Sequence, residues 1–138
     1  MTIMVCPVDA IVDTSALLAI LLREEDAADH LCALSRQARW GIAAPNRTEL
    51  LIVAAIRLEG GGARFARELL DRCQIETLPI DEKLADAAAT AFERFGKGRH
   101  PAGLNFGDCF AYALARHHGV PLLFKGDDFG KTDVLRAH

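Results

Sequence analysis

The sequence predicts an α/β fold, a three-layer α/β/α sandwich around a central, mainly parallel sheet. Three observations lead there. Short apolar runs alternate along the chain with longer segments of helical periodicity. Those runs are continuously apolar rather than alternating, as strands covered on both faces must be. At 138 residues, 51% hydrophobic and 25% charged, the chain has the composition of one globular domain with a real core.

Each element can be justified in turn. Residues 8–12, VDAIV, form a β-branched strand, and SALLAILL directly after it has helical length and character. Residues 26–38, DAADHLCALSRQA, form a second amphipathic helix, and WGIAA (40–44) a short buried strand ended by Pro45. From Asn46 the pattern RTELLIVAAIRLE is helical up to the glycines at 60–62, which make a turn between two helices and not a domain boundary. The helix ARFARELLDRC is expected to place Phe65, Leu69, Leu70 and Cys73 on one side. IETLPI (75–80) is a strand. Residues 81–95 set Leu84, Ala87, Ala88, Ala91, Phe92 and Phe95 three and four apart, a helix stopped by Gly96. After the basic loop GKGRHPAG comes the helix NFGDCFAYALA (105–115), then VPLLF (120–124) as the last strand.

Composition also excludes function classes. No apolar run approaches the roughly 18 residues of a membrane span, and MTIMVCPVDA lacks a basic segment leading into a signal-like core, so a cytoplasmic protein with no membrane partner is expected. Cys6, Cys32, Cys73 and Cys109 lie far apart with no CxxC pair, which predicts reduced thiols rather than disulfides or zinc. Cys32, Cys73 and Cys109 fall in helical patterns and are expected to be core residues. The five histidines form no HxxxH pair and are expected at the surface or at helix C-termini; Trp40 and Tyr112 are expected in the core.

In parallel sheets ligands bind outside the carboxyl ends of the strands, so acids there matter most. Asp13 follows the first strand, Glu49 opens the helix after WGIAA, Asp108 opens the helix at 105–115, and Asp127 and Asp128 follow VPLLF. Singly, each has a local explanation. Asn46 with Glu49, and Asn105 with Asp108, have capping-box spacing, and Asp13 precedes a helix starting at Thr14. Together they would repel: two carboxylates about 4 Å apart cost on the order of 4 kcal/mol at an effective dielectric near 20. A divalent cation removes that penalty. Oxygen ligands without His or Cys favour Mg2+ or Mn2+, ions that serve phosphate chemistry.

The net charge of −3 argues against a polyanionic partner until these acids are set aside. Without the five, 14 acids face 16 bases, a net of +2. Arg94, Lys97, Arg99 and His100 form a basic loop before NFGD, placed to grip a nucleic-acid backbone.

The segments IVDTSALLAILL, RTELL, GLNFGDCFAYALARHHGVPLLFKGDDF and KTDV resemble the PIN-domain ribonuclease toxins of the VapC family, over residues 8–135. The resemblance implies a metal-dependent endoribonuclease, silenced by a cognate VapB-type antitoxin and assembled as a homodimer or a toxin–antitoxin hetero-oligomer. It places the family's acids on Asp13, Glu49, Asp108 and Asp128, with Asp127 an alternative fourth; Asp13 and Asp108 would hold the principal Mg2+. Thr14 or Ser15 would supply a hydroxyl beside the metal, and Asn105 would support Asp108. A helical antitoxin segment would dock on residues 15–36. The chain is read as a single domain, 1–138, in which residues 1–7 are a loose extension and Met4 an alternative start.

Two enzyme-like motifs compete. GDDFGKT (126–132) resembles a phosphate-binding loop but has one residue too few between its glycines and no room for a following helix. A haloacid-dehalogenase-like phosphatase would use Asp13 as nucleophile, but Ser15 stands where that family has its second Asp. A PIN-like module that only binds RNA or protein is the third alternative.

Overall fold

The computed structural model describes residues 7–137; the expectations for Cys6, Met4 and the first six residues lie outside them. Four short strands, β1 (Ala10–Val12), β2 (Trp40–Ala43), β3 (Glu76–Leu78) and β4 (Leu122–Leu123), form one parallel sheet in the order β3-β2-β1-β4. Six helices surround it: α1 (Thr14–Leu21), α2 (Ala27–Leu34), α3 (Ala44–Arg57), α4 (Gly62–Arg72), α5 (Glu82–Phe95) and α6 (Phe106–His118).

The period-two pleat sorts the strands into two cores. Ala10, Val12, Trp40, Ile42 and Leu123 pack with Leu17, Leu34, Leu50 and Leu70 of the first four helices. Ile11, Ala43, Leu78 and Leu122 face the opposite way, onto Leu84, Ala88 and Phe95 of α5 and Ala111, Leu114 and Ala115 of α6. Burial on both sides explains the unbroken apolar runs of β1, β2 and β4, while Glu76 and Thr77 of the edge strand β3 are exposed. Burying side chains such as Ile11 and Leu17 stabilises the fold by about 1.5–3 kcal/mol each.

The chain builds outward from β1 through β2 to β3, then returns to lay β4 on the other side of β1. That reversal leaves a crevice beyond the carboxyl ends of β1 and β4, where the connecting helices diverge.

Several expectations need correction. α3 starts at Ala44 with Ala43 as N-cap, so Asn46 and Glu49 are interior residues and form no capping box. Pro45 explains the earlier start, because its fixed φ and missing N–H suit the first helical turn. On α4 the buried positions are Gly62, Ala66 and Leu70, while Phe65 is exposed. Cys109 is buried as expected, but Cys73 is only partly buried and Cys32 is exposed, since the inner face of α2 is taken by His30, Ala33 and Leu34. His30 is therefore no surface residue; its Nε2 bonds Asp26 at 3.0 Å. His100, too, is partly sheltered, its Nδ1 accepting from Ala102 N–H at 3.0 Å. Trp40 and Tyr112 are buried as expected, and the Tyr112 hydroxyl donates to Asp133.

Candidate active site

Asp13 ends β1 and caps α1: its Oδ2 accepts the Ser15 N–H at 3.0 Å. It is 2% exposed, and its Oδ1 has no hydrogen-bond partner. Burial, with the charge of Glu49 adding to it, raises its pKa to about 6 against the opposing bonds from Ser15 and Thr14. A buried carboxylate oxygen without a donor is costly unless something positive reaches it.

Asp108 occupies the third position of α6 in a complete capping box. Its N–H donates to Asn105 Oδ1 at 2.9 Å, and its Oδ2 accepts the Asn105 N–H at 3.0 Å. Burial first, then the charges of Asp13, Glu49 and Asp128, raise its pKa to about 7. The local and the collective explanations of this acid are both true, because the cap uses one oxygen and the crevice receives the charge.

Glu49 reaches the same crevice from α3, one turn beyond Asn46. Its carboxylate rests on Gly107, where Oε2 lies 2.6 Å from the point a Cβ would occupy. Only glycine leaves that space free. Both acids after β4 are exposed; Asp128 contributes to the charge felt by Asp108, whereas Asp127 figures among the causes of neither raised pKa.

The two hydroxyls divide. Thr14 Oγ1 donates to the Asn46 main-chain carbonyl at 3.1 Å, while Ser15 Oγ accepts the Lys125 N–H at 3.0 Å and its hydroxyl bonds Asp13, helping to lower that acid's pKa. Lys125 is in turn gripped through its ammonium by Glu24 and, at 2.9 Å, by Asp26. This ties the loop carrying Asp128 to the turn between α1 and α2.

In the basic loop, Arg94 pairs with Asp133 at 3.4 Å and lies over the Phe95 ring, and the Arg99 guanidinium is 6.0 Å from the Phe92 ring centre. Residues 126–132 form a loop and a short 3-10 helix, Phe129–Lys131, so no α-helix presents its N-terminus to a phosphate there.

Four acids thus share one crevice, coupled by charge, and the donor set is entirely oxygen. Among the described residues no three His, Cys, Asp or Glu side chains already stand as a metal-holding group. The donor chemistry nevertheless fits a hard divalent cation, and the partnerless Asp13 Oδ1 is the atom that most needs one.

Comparison with known proteins identifies the family. The PIN domain family model matches residues 10–135. Ribonuclease VapC of Mycolicibacterium smegmatis is 44% identical over 128 residues, covering 93% of this chain and 99% of that protein. Ribonuclease VapC28 of Mycobacterium tuberculosis is also 44% identical over 128 residues, covering 92% and 96%. The crystal structure of Mycobacterium tuberculosis VapC20, described as a sarcin-ricin loop cleaving toxin, superposes with a TM-score of 0.77 at 14% identity, over 93% of this chain and 98% of that one. A toxin–antitoxin complex from Klebsiella pneumoniae gives 0.68 at 18% identity, over 90% and 92%. These two distant structures speak to the fold alone, and with the sequence matches they set aside the phosphatase reading. The chain belongs to the PIN-domain family and, within it, to the VapC ribonucleases.

Proposed function

We propose that this chain is a metal-dependent endoribonuclease, the toxin of a VapBC-type pair, that hydrolyses RNA phosphodiester bonds in the crevice lined by Asp13, Glu49, Asp108 and Asp128. The observation that supports this best is the coupling of Asp13 and Asp108. Burial pushes up both acids, which come from distant parts of the chain, and the charge of Asp13 adds to the rise at Asp108, so at neutral pH a bound cation would relieve what the ionised carboxylates cost.

Mg2+, with Mn2+ as the alternative, would supply Lewis-acid polarisation of the phosphoryl group and lower the pKa of a bound water. The protein's own part is positional. Asp13 and Asp108 would hold the ion from their places at helix N-termini, Glu49 reaches in across Gly107, and exposed Asp128 would face the substrate. Glu49 or Asp128 would accept the proton of the attacking water, and the Ser15 hydroxyl, bonded to Asp13, helps fix that carboxylate in place. Exposed Lys97 and Arg99 grip the RNA backbone.

The partner that silences the site is an antitoxin of the VapB type. Its helical segment docks in the apolar groove of Ile20, Leu21, Leu22, Leu58 and Phe65, so the expected surface at 15–36 extends onto α3 and α4. An antitoxin Arg placed among the acids would pair bidentately with a carboxylate. The toxin assembles as a homodimer, which sedimentation of the isolated protein reads directly. No helix among the described residues is long and apolar enough to cross a membrane.

The deciding experiment compares wild type, Asp13→Asn and Asp108→Asn, each purified without antitoxin, on RNA with Mg2+ and with chelator. Cleavage by wild type with Mg2+ alone is expected. Equal cleavage by all three proteins overturns the assignment, release of phosphate from small esters revives the phosphatase, and binding without cleavage marks a silent module.

A further inference from the structure

We propose that Asn46 is a positioning residue of this site, whose buried side chain ties α3, the helix bearing Glu49, to the first turn of α6, which bears Asp108. The activity part of this inference rests on the ribonuclease reading; the structural part does not.

Asn46 is 0% exposed. Its Nδ2 donates to the Gly107 carbonyl at 2.9 Å, and its main-chain carbonyl, which any residue would offer, accepts the Thr14 hydroxyl at 3.1 Å. Thr14 follows Asp13, Gly107 precedes Asp108, and Glu49 lies one helical turn beyond Asn46. The side-chain bond therefore reaches the residue before Asp108, and the main-chain bond the residue after Asp13. The amide orientation is set by chemistry, since a carbonyl can only accept and the atom facing Gly107 must be the NH2 group.

Space-filling does not explain an amide here. Burying one without full bonding costs about 1–3 kcal/mol, and Asn46 Oδ1 has no partner. A Leu or Val would fill the position without that penalty. A polar residue that breaks the local packing rule belongs where geometry outweighs stability. Here the geometry is the height of α6 against α3. The Asn46 bond holds the first turn of α6 at the level where the Glu49 carboxylate fits against Gly107 and the charge of Asp108 meets that of Asp13.

Asn46→Asp is nearly isosteric and turns the donor facing Gly107 into an acceptor; Asn46→Ala removes it and serves if the first variant does not fold. Both are assayed well below their thermal midpoints, by steady-state cleavage of a short RNA and by amide hydrogen exchange across Gly107–Ala111. The expected result is a kcat about 100-fold below wild type, the effect of a misplacement near 1 Å, with KM within about threefold and faster exchange in the first turn of α6. A kcat within about threefold of wild type, or unchanged exchange, overturns the inference. If wild type itself cuts no RNA, the ribonuclease reading fails alone, and the exchange data still decide the role of Asn46.

Discussion

The charge of Asp13 raises the pKa of Asp108, although one caps the first helix and the other opens the last. Both acids sit at helix N-termini, whose dipoles favour carboxylates, and both titrate upward anyway. Burial and mutual repulsion outweigh the caps.

The sign of the resulting pH dependence follows. A carboxyl whose folded pKa exceeds its unfolded value stabilises the fold while protonated, and that stabilisation is lost as pH rises through the folded pKa. For Asp13 and Asp108 the loss runs from an unfolded value near 3.8 up to about 6 and about 7. The metal-free protein should lose stability across that window. At about 1.4 kcal/mol per pKa unit, shared between coupled groups, Asp108→Asn is expected to stabilise the metal-free protein by about 2 kcal/mol near pH 7.5. Calorimetry of wild type and variant from acid to neutral pH checks this, and parallel curves would count against it.

Cation binding should then displace protons, because an ion binds the ionised carboxylates. Near the pKa of about 7 of Asp108, where that carboxyl is half protonated, we expect roughly half a proton released per Mg2+ or Mn2+ bound, rising as the pH falls. Titration calorimetry in buffers of different ionisation enthalpy reads the number directly. A value of zero would mean that the ion sits elsewhere.

The two acids after β4 should differ. Asp128 contributes to the field at Asp108, so Asp128→Asn is expected to lower cleavage about 10- to 100-fold, the range for residues that tune a metal site. Asp127→Asn should leave the rate within about threefold of wild type. Side-by-side rates settle the choice, and a reversed order would move the fourth acid to Asp127.

Gly107 is the steric gate between α3 and α6. A methyl group there would meet Glu49 Oε2 at 2.6 Å. Gly107→Ala must therefore push the Glu49 carboxylate, the end of a flexible side chain, aside, with little change in stability but with reduced cleavage. Thermal melts and rates together test this. Wild-type stability with wild-type activity would show that Glu49 has room to move.

What could be read from the chain alone was what is local. Apolar runs and helical periods place the strands and helices, because each residue's neighbours within about four positions decide its backbone. The caps at Asp13 and Asp108 were legible for the same reason: a side chain bonding an N–H two or three residues on needs no distant partner. The motifs around them also carried the family.

Packing decided the rest. The sheet order, with β4 beside β1, opens the crevice, and no periodicity states it. Asn46 has cap-like spacing to Glu49 in sequence, but in the folded chain its bonds run to Thr14 and Gly107, separated from it by 32 and 61 residues. His30 and Cys32 show the same limit: α2 turns one inward and the other to solvent because of the sheet it lies on. The acids were visible as residues; their repulsion exists only because folding removes the water that would have screened it.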